Sequence, residues 1–371
     1  MNKRKIWLIV LAVIVIAVIF IGIYFTQKPS QKEQVIKIGA ILPLTGPAAS
    51  FGQYVKEGID LAIEEINTKS NIKFLILYAD SKNDPKEAVS EYNKMVLIEK
   101  PSVVIAALSS VASALGPLAS STNTVQIYVD VAKPGVADGK YSFRIYPEAN
   151  GTAGVIAEFV TDSLKATKAA VIHINDDYGM ASLDVFKRKF EASGGKVVFV
   201  ESYQLLQKDF RDILTKLKSV EPAPDVIYLN GYGPSFVKAV KQIKELGLNT
   251  QLVADVALGL PENLKGAGEA AEGAYFVDTN MSSEFIEKFM HKYGKEPSSD
   301  AGYAYDIIRI LYKIAQESPK FTSENISEKL RGLKEFPGVT GLITMKPNGD
   351  AELRFAVRQI IQGKPVLVRK Y

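Results

Sequence analysis

The chain has 371 residues, 47% hydrophobic and 23% charged, with a formal net charge of +4. That is an ordinary globular balance, longer than one core usually holds, and it excludes fibrous and disordered classes. No basic block appears, which argues against a nucleic-acid partner. Cysteine is absent, which removes disulfides, thiol catalysis and thiolate metal sites, and the two histidines, His173 and His291, offer little to histidine chemistry.

In chain order, Ile6 to Phe25 is an unbroken apolar run preceded by Asn2, Lys3, Arg4 and Lys5. A helix of that length spans a hydrocarbon core of ~30 Å. The basic flank places the first residues in the cytoplasm and everything after Lys28 outside it. The run is longer than a signal-peptide core, and Ile23 to Gln27 is a poor cleavage site, so a retained anchor is expected. Residues 27–34 read as a short polar linker, closing an N-terminal segment over 1–34.

From Val35 short apolar runs alternate with amphipathic stretches. Strands are expected at 35–42, 72–78, 103–106 and 125–129. Helices are expected at Gly52 to Asn67, where Val55, Ile59, Ala62, Ile63 and Ile66 keep helical spacing, and after Asp84-Pro85, an N-cap followed by proline. The pattern restarts with strands at 169–174, 196–202, 225–230 and 251–254 separated by helices. Residues 282–331 read as helix-rich. Pro347-Asn348-Gly349-Asp350 between apolar runs signals a hairpin joining 341–345 to 351–362, and a last strand is expected at 365–369. This βαβα order implies two doubly wound α/β lobes with parallel sheets. In such sheets ligands sit beyond the carboxyl ends of strands, so the loops 43–51, 107–110, 130–134, 175–179, 231–234 and 255–260 are the candidate site.

Within those loops, Ser109-Ser110 follows a strand and opens a helix, a place suited to a carboxylate, although plain N-capping would use the same residues. His173, in an apolar strand, reads as structural, and its spacing from Asp176 and Asp177 forms no metal pattern. No phosphate-binding glycine loop occurs, so the chain is not expected to be an ATPase. No cofactor, metal or catalytic residue is expected.

The segments Ile38-Gly-Ala-Ile-Leu-Pro-Leu-Thr-Gly-Pro47, Phe51-Gly52 and Gly58-Ile-Asp-Leu-Ala-Ile-Glu-Glu-Ile-Asn67 resemble the opening of the branched-chain amino-acid (Leu/Ile/Val-type) periplasmic binding proteins. Asp80-Ser-Lys-Asn-Asp-Pro85, Asp176-Asp-Tyr-Gly179, Asp209-Phe210, Pro224-Asp-Val-Ile-Tyr228 and Ala270-Ala-Glu-Gly273 continue the resemblance to the C-terminus. It implies a type I periplasmic-binding-protein fold whose chain crosses three times between lobes, 35–146 plus 277–345 and 147–276 plus 346–371. It implies a carboxylate held at Ser109, Ser110 and the backbone near Ala132, with Phe51, Tyr178 and Tyr232 covering the ligand. Two positions depart from the family. Val131-Ala132 lacks the family's hydroxyl and leaves Asp130 as an added acid. Val256 replaces the acidic partner of the ligand's amino group, with Asp255 one residue before it. Asp255 or Asp130 is therefore the candidate amino partner, unless the ligand lacks an amino group.

The implied function is a substrate-binding protein of an ABC importer outside the cytoplasm. It would bind an amino acid, branched-chain favoured, or a related small carboxylate or amide, and deliver it to permease subunits. The alternative is a ligand-sensing ectodomain working with a separate signalling protein; the few residues before the apolar run leave no room for a cytoplasmic signalling domain. No spacing singles out a carboxylate pair for hydrolysis, so an enzyme is not expected.

Overall fold

The computed structural model describes residues 34–371 except 319, together with Trp7, Val13 and Ile16. The expected membrane helix over 6–25 lies, apart from those three positions, outside the described residues. Among the described residues no helix is long and apolar enough to cross a membrane.

The first half winds through β1 (Gln34–Leu42), α1 (Ala49–Lys69), β2 (Ile72–Asp80), α2 (Pro85–Lys94), β3 (Val103–Ala107), α3 (Ser109–Thr122), β4 (Val125–Val129) and β5 (Ser142–Arg144). The strands form a five-stranded sheet in the order β2-β1-β3-β4-β5, in which β1, β3, β4 and β5 run parallel. Every residue of β3 and β4 is buried. A parallel strand covered on both faces cannot alternate with solvent, which is why these segments read as unbroken apolar runs. Asp84 caps α2, its Oδ1 accepting from the Lys86 and Glu87 amides at 2.7 and 3.2 Å, with Pro85 at the first helical position.

The second half runs through α4 (Ala149–Asp162), β6 (Lys168–Ile174), α5 (Asp177–Ala192), β7 (Lys196–Tyr203), α6 (Arg211–Lys218), β8 (Val226–Asn230), α7 (Gly233–Glu245), β9 (Gln251–Ala254), α8 (Pro261–Ala267) and β10 (Tyr275–Asp278). Strands β7, β6, β8, β9 and β10 lie parallel in that spatial order. Then α9 (Ser283–Tyr293), α10 (Ser299–Glu317) and α11 (Ser323–Arg331) return to the first sheet. Phe289 of α9 stacks on Tyr54 of α1 with ring centres 6.3 Å apart. A small antiparallel sheet follows, β11 (Phe336–Gly338), β12 (Gly341–Met345) and β13 (Ala351–Glu352). Finally β14 (Ala356–Ile361) and β15 (Lys364–Lys370) extend the second sheet to seven strands, β14 pairing antiparallel with β10.

The strand expected over 351–362 is therefore two strands. Only its first two residues complete the hairpin with β12; after residues 353–355 the chain enters the other sheet, where Val357 and Ile360 are buried beside β10. Sequence alternation alone could not show that switch. Three short β elements, β5, β10 and β11, and the helix α4 also appear where no element was expected; the strands are three or four residues long, too short to carry a period. The chain passes between the two sheets at residues 145–148, 279–282 and 353–355.

Beside the first crossing sits Arg144, fully buried. One terminal nitrogen meets Glu148 Oε2 at 2.7 Å and Asp350 Oδ1 at 2.6 Å, and the other donates to the carbonyls of Val131 and Lys133. It fixes the loop after β4, the first-lobe rim of the cleft.

Candidate functional site: a closed cleft between two sheets

Both sheets reverse their winding at a switch point, between β1 and β3 in the first and between β6 and β8 in the second. The crevice at each switch point is where an open α/β sheet offers loop ends and helix N-termini to a ligand.

On the first sheet, α3 begins at Ser109 without any side-chain cap, after Leu108 in a left-handed conformation (φ 74°). Its opening N–H groups are thus left free by its own sequence, the condition for holding an anion. Ser109 Oγ accepts the amides of Ala132 and Lys133, each at 3.2 Å, which ties the loop after β4 to that helix end. Ser110 Oγ donates to Asn83 Oδ1 at 3.0 Å. The loop after β1 is held by Asp80, whose carboxylate accepts from the Leu44 and Thr45 amides and the Thr45 hydroxyl.

On the second sheet, Asp176 caps α5 through the Gly179 amide at 2.9 Å. Gly179 is required because a Cβ there would lie 1.8 Å from the Ile174 carbonyl. After β8, Gly231 takes φ 149°, and a Cβ would meet the Tyr203 hydroxyl at 1.8 Å, so only glycine lets the chain turn there and present Tyr232. The Tyr232 hydroxyl donates to Asp176 Oδ2 at 2.5 Å and accepts from Asn83 Nδ2 at 3.1 Å, so it bridges the two sheets. Phe51 of α1 meets Tyr232 edge-on at 5.6 Å, and Tyr178 lies 6.0 Å from the same ring.

Between these walls is a narrow cavity. It brings Phe51, Ser109, Ser110, Asp130 and Ala132 of the first sheet against Tyr178 and Tyr232 of the second. Asp255, the remaining candidate, stands behind the wall. Its carboxylate accepts from the Tyr178 hydroxyl, the Asn230 amide group and the Ala257 amide, so it positions Tyr178. Sequence reading missed Tyr146 as a lining residue; Val256 entered as the position that replaces the family's acid, and Asp176 only through a motif. Tyr146 leaves the unexpected β5 and donates to Asp300 Oδ1 at 3.1 Å, while Ser298 donates to Asp300 Oδ2 at 2.9 Å. His173 lies buried in β6 with Nδ1 2.9 Å from the Ile174 carbonyl, and among the described residues no group of three or more His, Cys, Asp or Glu is placed to hold a metal.

The site's electrostatics are one-sided. No Lys, Arg or His lines the cavity. Burial pushes Asp255 up to about 7 against its three donors. Burial, then repulsion from Asp300, raises Asp130 well above the ordinary carboxylate range, and burial raises Asp300 to about 6. These are groups whose charged forms are desolvated without a compensating cation.

Lys133, in the loop after β4, reaches Asp177 of α5 at 2.8 Å, and Ser113 of α3 donates to the same carboxylate at 3.0 Å. The hydrogen bond from Lys133 leads the causes that hold Asp177 below its ordinary value. Both charged partners are about two-fifths exposed, 38% and 43%, so the pair is worth ~0.2–1 kcal/mol. Lys133→Ala is expected to weaken ligand binding by about 1.4- to fivefold, since that energy favours only the closed form. Titration calorimetry checks it; unchanged affinity would mean the contact contributes nothing to closure.

A family model described as periplasmic binding protein matches residues 35–364. The chain is 31% identical over 254 residues to the Leu/Ile/Val-binding protein homolog 3 of Brucella melitensis, an alignment covering 67% of this chain and 68% of that one. Among solved structures it resembles the leucine binding protein LivK of Thermotoga maritima, with TM-score 0.82, 27% identity and coverage of 90% of this chain and 98% of that one. It also resembles the branched-chain amino acid substrate binding protein LivJ of Streptococcus pneumoniae, solved with isoleucine, with TM-score 0.83, 25% identity and coverage of 90% and 99%.

Proposed function

The chain belongs to the periplasmic binding protein family, among the Leu/Ile/Val-type substrate-binding proteins of ABC transporters, and from that membership we propose that its cleft closes on a small amino acid. The branched-chain amino acids lead, and a related small carboxylate or amide is the nearest alternative. The observation that carries this reading is the opposition of an uncapped helix N-terminus beside Ser109 and Ser110 to Asp130, a partly buried acid with one sealed oxygen, within one cavity. A zwitterion offers both complementary ends: its carboxylate suits the free amides of α3, and its ammonium suits a carboxylate. Phe51, Tyr178 and Tyr232 form an apolar cover for the side chain. Val256 in the wall, where the relatives' acid is expected, transfers the ammonium contact to Asp130 or Asp255.

The lobes in this reading are 35–146 plus 277–345 and 147–276 plus 346–371, and the three crossings beside those boundaries act as the hinge. A ligand touching both lobes stabilises the closed form by its differential affinity, and the closed form docks on the permease, where the lobes part. No bond is made or broken in that cycle. The apolar run Ile6 to Phe25, with its basic flank, supports a retained single-pass anchor that keeps the binding domain outside the cytoplasm near its permease at high effective concentration.

Thermal unfolding of the full chain in mild detergent, against amino acids, amides and simple carboxylates, tests this. A true ligand at ~100 times its dissociation constant adds ~2.7 kcal/mol, a rise of several degrees. Stabilisation by one or more amino acids is the expected result. A response to an amide or plain carboxylate with none to any amino acid overturns the amino-acid reading.

A further inference from the structure

The cavity holds more buried acid than one ammonium group neutralises. Asp130 and Asp176 both line it, and Asp255 and Asp300 stand directly behind its wall. Three of the four have internal donors. Asp176 receives the Tyr232 hydroxyl and the Gly179 amide, Asp255 receives Tyr178 and Asn230, and Asp300 receives Tyr146 and Ser298. Asp130 differs: its Oδ2 is sealed from solvent with no hydrogen-bond partner, and the one donor close enough to favour its charged form, the Tyr146 hydroxyl, is given to Asp300. Its backbone is also left-handed, φ 56°. Non-glycine residues take that conformation rarely, and Asp and Asn most readily among those that do.

The nearest cations do not supply what Asp130 lacks. Lys133 points to Asp177, and Arg144 is engaged by Glu148, Asp350 and two carbonyls. A buried carboxylate without a cation is costly, so the ligand-free site favours the protonated acid, and a cationic ligand would supply the charge that lets it ionise.

Resting on the amino-acid reading above, we propose that the ligand is a small amino acid of net positive charge, a diamino acid, with one cationic group on the unpartnered Oδ2 of Asp130. The carboxylate then takes the free amides of α3. The second cationic group faces the second-lobe wall, where Asp176 lines the cavity and Asp255 lies behind Tyr178. The aromatic cover does not oppose this, because the faces of Tyr and Phe rings attract cations.

The test is calorimetric binding of 2,4-diaminobutyrate, ornithine, lysine, leucine, isoleucine and valine to the full chain and to Asp130→Asn. Asparagine accepts a left-handed backbone and keeps the side-chain shape, so the variant retains the loop. The expected result is that at least one diamino acid binds tenfold or more tighter than leucine, and that Asp130→Asn weakens that diamino acid by tenfold or more. Tighter binding of leucine, isoleucine or valine than of every diamino acid by the unmodified protein overturns the proposal without needing the variant. So does unchanged affinity of that diamino acid in Asp130→Asn. Binding of no amino acid at all would instead overturn the broader amino-acid reading, so the two failures are distinct.

Discussion

Replacing Arg144 with methionine is expected to destabilise the protein by ~3–5 kcal/mol, the cost of removing one partner from a buried ion pair. The guanidinium is fully buried and holds Glu148 and Asp350 together with the carbonyls of Val131 and Lys133. Burial already raises Asp350, and Arg144 is the first influence opposing that rise, so its removal strands a carboxylate in the interior. At roughly 2 °C per kcal/mol for a domain of this size, the melting temperature should drop by ~6–10 °C. Ligand affinity should fall as well, because the two carbonyls flank Ala132, whose amide is tied to Ser109 at the anion-binding helix end. Arg144→Lys keeps the charge but lacks the planar fork that reaches four acceptors, so it should recover only part of the loss. Circular dichroism melts and calorimetry separate the two effects. A loss below ~1 kcal/mol for Arg144→Met would mean that methionine packing replaces the ion pair, as happens at some buried sites.

Much of the fold was legible because parallel strands buried on both faces leave unbroken apolar runs, as in Val103–Ala107 and Val226–Asn230. The cleft was legible in two steps: strand ends in a doubly wound sheet fix which loops converge, and the family resemblance then singled out Ser109, Tyr178 and Tyr232 in those loops, with Asp130 as a departure from it; all four line one cavity. What stayed hidden is side-chain direction and short structure. Asp255 occupies the correct loop, yet whether its carboxylate faces the cavity or buttresses Tyr178 depends on a rotation that spacing does not encode. Asn83 sat inside a quoted motif, but its bridge from Ser110 to Tyr232 joins loops from both halves of the chain and has no local signature. Tyr146 follows a three-residue strand, and Asp300 opens a helix in a segment read only as helix-rich, so neither could be aimed at the site.

The ligand-free protein is expected to be most stable at pH ~4 and to lose ~2 kcal/mol or more by pH 8. Burial is the leading cause that raises Asp255 to about 7, Asp300 and Asp278 to about 6, and Asp130 well above its ordinary value. In the unfolded chain these groups titrate near ~3.9. Between those values the folded state keeps protons that the unfolded state has released, so stability falls with rising pH. The contribution is complete below pH ~4 and is lost as pH climbs through 6 to 7. Asp80 and Asp177, held low by hydrogen bonds, act in the opposite sense, but their contribution disappears only below pH ~4 and so sets the acid limb. The three-unit displacement of Asp255 alone bounds its share at ~4 kcal/mol, which water entry would reduce. Melting temperatures measured at half-unit steps from pH 4 to 8.5 give the curve, with a fall of ~4–8 °C expected on the alkaline side. Asp255→Asn, which cannot ionise, should flatten that limb while leaving the acid limb in place. A limb that stays flat in the unmodified protein would mean that these carboxylates ionise at ordinary values when folded, and hence that solvent reaches the closed cleft.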